Sequence, residues 1–360
     1  MREDTEGGAL RRLVPIVVAA AVAITAALAV LASTADGQTA AKPPSGTPMP
    51  RYYVTVGSGV SGQPLRAVVR DSATGRVTGV VTIPAPGVAF APASVAGGGD
   101  GRTFVVGVSK SGQAGYSLYR LRLSPVGAPG PLAPLRVLPI GSAAGGLPAR
   151  AEVTGISLSR DDTKLAVSIE HFEPSVDTVQ PWAELDVVDL ATGHVRAWVS
   201  KVVGYWAGPP SWADGTTKVA FTWWRVTWIV APRVAQHVVG VREIDTADRR
   251  AAMPGTPVNV PVAGLRSAVF ASGAPIAVMS FCSAGGGATT ASIAELAGQR
   301  VRVLHTQTRR STDPALLSQC DVLSVDATGR HALVQGFEFG RIDNGVFTPL
   351  PGAAPVSAAW

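Results

Sequence analysis

A short phrase that occurs twice constrains this chain more than anything else in it. Val69-Arg70-Asp71-Ser72-Ala73-Thr74-Gly75-Arg76-Val77 is echoed by Val187-Val188-Asp189-Leu190-Ala191-Thr192-Gly193-His194-Val195, and both read as strand, D-x-A-T-G turn, strand. Degraded versions occupy residues 124–127, 244–248, 295–298 and 342–345. A second turn type alternates with the first, at 99–102, 159–162, 212–215, 271–273 and 326–329. Each copy of the second type is followed by an apolar strand, at 103–106, 164–167, 218–221, 275–278 and 331–334. Asp and Gly supply the side-chain acceptor and the positive φ that tight hairpins need. Two hairpins in every unit of about 50 residues give four strands per unit.

After residue 51 no helical apolar period is sustained, so this part of the chain is all-β. Composition agrees. With 40 Gly and 28 Pro a mostly helical protein is excluded, and 46% hydrophobic residues rule out disorder as a general state. The paired turns resemble those of TolB-like and WD40-like propellers, in which the first turn of a blade joins strands a and b and the second joins c and d. That resemblance implies a β-propeller over 51–360. Counting gives six blades, or seven if one unit is degenerate. The first blade lacks an upstream a strand, and the C-terminal segment ending Ala358-Ala359-Trp360 resembles an innermost strand. It is expected to close the ring against Tyr52 and the strands that follow, since an unpaired blade edge invites aggregation.

Residues 13–32 form an uncharged apolar run of 20 residues, which as a helix spans the roughly 30 Å hydrocarbon core. Arg2, Arg11 and Arg12 precede it, and the next basic residue is Lys42, so the positive-inside rule puts residues 1–12 in the cytoplasm and the rest outside. A cleaved signal peptide is the rival, but the run exceeds the usual 7–15 apolar residues of one. The expected layout is a cytoplasmic tail (1–12), a transmembrane helix acting as signal anchor (13–32), a flexible linker (33–50) and an extracytoplasmic propeller (51–360) in the cell membrane. As a whole this resembles membrane-anchored propeller proteins of high-GC Gram-positive bacteria, a resemblance that implies an architecture and no activity.

If both turn types point to one face, the b-to-c and d-to-a connections emerge on the other, with candidate loops at 170–182, 223–237 and 281–288 and d-to-a segments near 125–146 and 305–319, and the unusual residues lie there. Cys282 and Cys320 are the only cysteines, and in an oxidising compartment the pair is expected to form a disulfide. Seven of the eight tryptophans fall between Trp182 and Trp228. Trp223, Trp224 and Trp228 flank Arg225, either as an aromatic platform for a partner or glycan or as a bulky core; strict alternation is expected to leave at least one exposed. Trp198 and Trp212 sit within strand patterns and read as core. Glu170, His171 and Glu173, with Asp177, Glu184 and Trp182 nearby, form the densest acidic cluster containing a histidine, but its spacing matches no metal motif.

Gly57-Ser58-Gly59-Val60-Ser61-Gly62 matches G-x-G-x-x-G after a strand, yet Leu65 to Val69 returns as another strand instead of opening a helix. The sequence therefore assigns no catalytic residue, no metal and no cofactor. The net charge of +6 is spread over short arginine pairs without interleaved aromatics, which argues against nucleic acid. What remains is a membrane-tethered scaffold or sensor for an extracytoplasmic or membrane protein, with Trp223, Trp224, Trp228, Glu170, His171, Glu173 and Trp182 as candidate binding residues. The alternatives are a cell-wall glycan or polymer binder and, behind it, an enzyme using the central channel.

Overall fold

The computed structural model describes residues 48–57, 64–84, 93–109, 115–138, 150–174, 179–200, 202–230, 233–285, 287–310, 320–352 and 355–360. The run at 13–32, and with it the expected anchor, lies outside these residues. Among the described residues there is no helix.

Local turn chemistry starts the construction. In the a-to-b turn of the second blade, Asp100 Oδ1 accepts the N–H groups of Arg102 and Thr103 at 2.8 and 2.6 Å. Asp214 does the same for Thr217 and Lys218 at 2.8 and 2.7 Å, and Asp326 for Arg330 and His331 at 3.0 and 3.1 Å. The D-x-A-T-G turns join strands c and d. There Asp189 accepts from Thr192 N–H at 2.7 Å, and Gly193 takes φ 71°, a conformation that glycine enters without steric cost. The Thr192 N–H and hydroxyl stabilise the carboxylate of Asp189 and hold its pKa below the usual range.

These turns generate six antiparallel sheets. Blade 2 comprises β4 (Ala93–Gly97), β5 (Thr103–Ser109), β6 (Tyr116–Arg122) and β7 (Ala133–Leu138). Blade 3 comprises β8 (Arg150–Leu158), β9 (Lys164–Pro174), β10 (Val179–Asp189) and β11 (Val195–Val199). In blade 4 the inner strand is broken by Pro209 and Pro210 into β12 (Tyr205–Ala207) and β13 (Ser211–Trp212), which pair with β14 (Lys218–Val230); β15 (Arg233–Asp245) and β16 (Thr256–Val258) follow. Blade 5 holds β17 (Leu265–Phe270), β18 (Ile276–Gly285), β19 (Ala288–Ala297) and β20 (Arg300–Arg310). Blade 6 holds β21 (Asp321–Val325), β22 (His331–Gln335), β23 (Phe339–Asp343) and β24 (Val346–Pro349).

Blade 1 closes the ring as expected. β25 (Ser357–Ala359) is innermost and antiparallel to β1 (Tyr52–Val56), with Val54 opposite Ala359, and β2 (Arg66–Asp71) and β3 (Val77–Thr82) complete the sheet. Val356 N–H also bonds Val56 O at 3.0 Å. Trp360 is 5% exposed and packs edge-on to Tyr53, with Leu333 and Phe339 of blade 6 in the same cluster.

Blades are buried on both faces, so alternation along β14 buries both Trp223 and Trp224; Trp228, the third of the group in which one exposed ring is expected, has its side chain outside the described residues. Consecutive residues of β14 point to opposite sides, but each side meets a neighbouring blade. Trp223 enters the core shared with Leu185, Trp198 and Trp212, while Trp224 enters the core shared with Leu265, Ala268 and Met279. They are 3% and 4% exposed. Trp198 and Trp212 are core residues, as their strand patterns implied.

The inner strands are stitched together by hydroxyls. Ser267 Oγ accepts Val322 N–H at 2.7 Å, Ser211 Oγ accepts Phe270 N–H at 3.0 Å, Ser357 Oγ accepts Val95 N–H at 3.2 Å, and Thr154 Oγ1 donates to Ala207 O at 2.9 Å. Each bond links one blade's inner strand to the next, so small hydroxyl residues are needed where six strands crowd an axis.

Candidate functional site

Antiparallel pairing puts the a-to-b and c-to-d turns on one face and the b-to-c and d-to-a connections on the other. On the second face the blades are unequal. The central hairpins of blades 3, 4 and 5 run for 11, 13 and 10 residues per strand. Those of blade 2 have 7 per strand, those of blade 6 have 5, and β1 and β2 have 5 and 6. Pairing begins at equivalent turns, Lys164 opposite Asp189 and Lys218 opposite Asp245, so the extra length stands on the b-to-c side. Segments 170–182, 223–237 and 281–288, expected as loops, are therefore mostly the raised ends of hairpins.

The disulfide expected between Cys282 and Cys320 is formed, with a Cα–Cα distance of 6.2 Å. It ties β18 to the start of β21 on this same face. Cys320 O accepts the Ser280 hydroxyl at 2.8 Å, and Ser280 in turn bonds Ser267, so the staple continues into the inner-strand stitching.

Within the ring lies a channel of about 470 Å³ walled by the inner strands. Much of its wall is Ala, Gly, Ser, Thr and Val, but charged and aromatic groups converge near the b-to-c face: Glu170, Trp206, Trp224, Gln236, Arg266 and Asp321. Glu170 of β9 stands directly opposite Glu152 of β8. Burial, reinforced by the charge of Glu152, pushes Glu170 up to about 7. Asp321 is pushed to about 6 by burial, partly offset by Arg266. Burial also lowers Arg266, whose guanidinium lies 4.6 Å from the centroid of Trp224. Trp206 stacks on Trp224 at 5.1 Å, so Trp224 carries an aromatic ring and a cation on its surfaces. On the opposite, turn-bearing face, Arg160 reaches from blade 3 to blades 4 and 5. Its N–H bonds Gly215 O of blade 4 at 2.9 Å, and its guanidinium lies against Gly273 of blade 5.

The candidate residues from sequence separate into different places. Glu170 lines the channel. His171, pointing to the other side of the same strand, is fully buried and meets Glu184 Oε2 through Nε2 at 2.7 Å, while its ring stacks on Trp182 at 3.6 Å. Asp186 lies two residues along the strand from Glu184; burial, with the adjoining Glu184 charge, raises its pKa strongly. Trp223 stacks on Tyr205 at 5.6 Å inside the core. Glu173 and Trp228 lie on β9 and β14, but their side chains are outside the described residues, as is Asp177. Among the described residues no group of three or more His, Cys, Asp or Glu is arranged to hold a metal ion.

Sequence reasoning missed Trp206, Arg266 and Asp321. Their signal was a charged or large residue within an inner strand otherwise made of small ones, legible only once the inner strands are known.

No family model matches the chain, and no curated protein matches it. Among solved structures, it is similar to the β-propeller domain of the Trilobed protease from Pyrococcus furiosus, at 9% identity over 84% of this chain and 80% of that one, TM-score 0.41. Kuenenia stuttgartiensis hydrazine synthase is similar at 15% identity over 83% and 77%, TM-score 0.38. Pyrococcus horikoshii acylaminoacyl peptidase is similar at 11% identity over 72% of this chain and 39% of that one, TM-score 0.38. No residue role is carried across at such similarity. The propeller assignment rests on the six sheets and their closure.

Proposed function

We propose that this protein is a membrane-tethered propeller whose ring stands outside the cytoplasm and serves as a scaffold or sensor for an extracytoplasmic or membrane protein. The tether rests on the uncharged run at 13–32 and the arginines before it. The observation that carries the binding reading is the asymmetry of the b-to-c face. Three consecutive blades raise their hairpins there, and a disulfide braces the third. Loops and hairpins held on a rigid ring are where recognition is usually built. A glycan platform made of Trp223 and Trp224 is disfavoured, because both rings are spent on core packing.

The test is in-cell photocrosslinking from Thr308, an exposed position near the raised end of β20, with Thr192 on the opposite face as control. A discrete adduct to one exported or membrane protein from 308, absent from 192, is the expected result. Equal labelling from both positions, or none, overturns the proposal.

A further inference from the structure

We propose that the outer edge of β20 is a strand-addition site, where an extended acidic segment of another protein pairs with residues 303–310 and its carboxylates meet Arg309 and Arg310. This rests on the partner-binding reading and names one contact within it.

The length of the edge is the first reason. The outer strands β3, β7, β11, β16 and β24 have 6, 6, 5, 3 and 4 residues, whereas β20 has 11. Native sheets keep their edges from pairing by shortness, proline or charge, and β7, β16 and β24 each carry a proline, which cannot donate to a ladder. β20 contains neither proline nor glycine. It is last in its sheet, and among the described residues nothing pairs with its outer side; Arg300 to Arg310 make main-chain bonds only to β19. His305 to Arg310, expected within a connection, pair without a break with Ala288 to Ile293, beyond the one irregularity between Ile293 and Ala294. These six residues offer about 20 Å of straight edge on the side of the raised hairpins.

Charge decides the occupant. β20 carries Arg300, Arg302, Arg309 and Arg310 and no carboxylate. Arg302 is bonded to Glu295 at 3.0 Å, and the charge of Glu338 on blade 6 acts on His305. Arg309 and Arg310 are exposed and, being consecutive, point to opposite faces of the sheet, so an added strand meets a cation on either face. Edge-to-edge pairing of two copies of this chain would bring together two strands of four arginines each, which disfavours a second copy and favours a carboxylate-bearing strand. Rigidity is the third reason. Gln307 Oε1 accepts Phe337 N–H at 3.1 Å, and His305 stacks on Phe347 with centroids 4.1 Å apart, so blade 6 pins one side of the strand. On the other side the Thr306 and Thr308 hydroxyls lie 3.2 and 3.3 Å from those of Ser292 and Thr290. An edge already held extended loses little freedom when a strand is added. Val303, Thr306 and Thr308 are exposed and β-branched, which suits cross-strand packing.

The experiment is fluorescence anisotropy of the full chain in detergent, with the fluorescein-labelled peptide Asp-Val-Thr-Val-Glu-Val-Asp as probe. Two controls accompany it, one with lysine for each acidic residue and one with Pro-Pro in place of Thr-Val, which keeps the charge and removes strand pairing. Saturable 1:1 binding of the acidic peptide alone is expected. The double variant Arg309→Glu, Arg310→Glu should weaken it at least about tenfold, since each exposed pair changes from attraction to repulsion. The double variant Arg76→Glu, Arg102→Glu, equal in net charge but on exposed positions of blades 1 and 2, should bind as wild type does. Amide hydrogen exchange gives a second reading, with slower exchange within 303–310 when the peptide is added and no change within β3 at 77–82. No binding of the acidic peptide, equal binding of the Pro-Pro peptide, equal binding by the Arg309→Glu, Arg310→Glu variant, or protection outside β20 each overturns the proposal. A discrete adduct from Thr308 in cells together with any of these failures would overturn the strand-addition site and leave the scaffold reading standing.

Discussion

Removing the indole of Trp360 tests whether the ring is held shut by its last strand. Trp360 is 5% exposed, and its neighbours Tyr53 and Phe339 belong to blades 1 and 6, so this side chain bridges the seam where the two ends of the propeller meet. Tryptophan-to-alanine changes in a core typically cost about 3–5 kcal/mol, including the cavity left behind. The edge-on contact with Tyr53, at 6.1 Å and 73°, contributes about 0.5–1.5 kcal/mol of that. Against it, the indole N–H is buried without an acceptor, and removing it returns about 1–2 kcal/mol. The net for Trp360→Ala is about 3 kcal/mol. For a domain of this size, at about 2 °C per kcal/mol, the melting temperature should drop by about 6 °C. Tryptophan fluorescence and circular dichroism during heating, at matched protein and detergent concentrations, provide the assay. A midpoint within about 2 °C of wild type would refute the seam argument. Deleting 357–360 goes further, since it uncovers β1, whose five residues are all buried, and the protein should aggregate.

The paired variant Cys282→Ser, Cys320→Ser should lose about 3–4 kcal/mol through the longer unfolded loop of 38 residues, read as a melting point lower by about 6–8 °C; an unchanged midpoint would remove the staple from the account. Asp186→Asn tests the buried pair beside His171. A carboxyl whose folded pKa is raised above its unfolded value stabilises the fold when protonated, at acid pH, and that stability is lost as pH rises through the ordinary carboxylate range towards the raised value. The amide should therefore melt higher than wild type above pH 8 and no higher at pH 4, and parallel melting curves at both pH values would contradict this.

Strand starts were legible because their causes are local. A carboxylate two to five residues from the N–H groups it accepts, and a glycine at positive φ, lie within one short stretch of text. The structure accordingly begins β5, β9, β14 and β22 at Thr103, Lys164, Lys218 and His331, and β18 at Ile276, one residue past the expected start. Closure by the tail was legible for a similar reason, since a missing strand at one end and a surplus strand at the other is a matter of counting. The single cysteine pair left only one intramolecular pairing.

The candidate site was less legible. Hairpins that rise beyond the ring no longer need a sustained apolar pattern, so Glu170 to Trp182 read as loop although most of it is ladder. Burial of both Trp223 and Trp224 follows from blades packing on each side of β14, a fact about neighbours and not about the alternation within one strand. Sequence by itself determined the turns, the four-strand unit and the tail segment that closes the ring, because turn hydrogen bonds are made within a few positions; the structure settled the count at six sheets. Only the tertiary structure decided what faces the channel. Glu170, Arg266 and Asp321 are far apart in the chain, and they meet because ring closure brings the inner strands of blades 3, 5 and 6 around one axis.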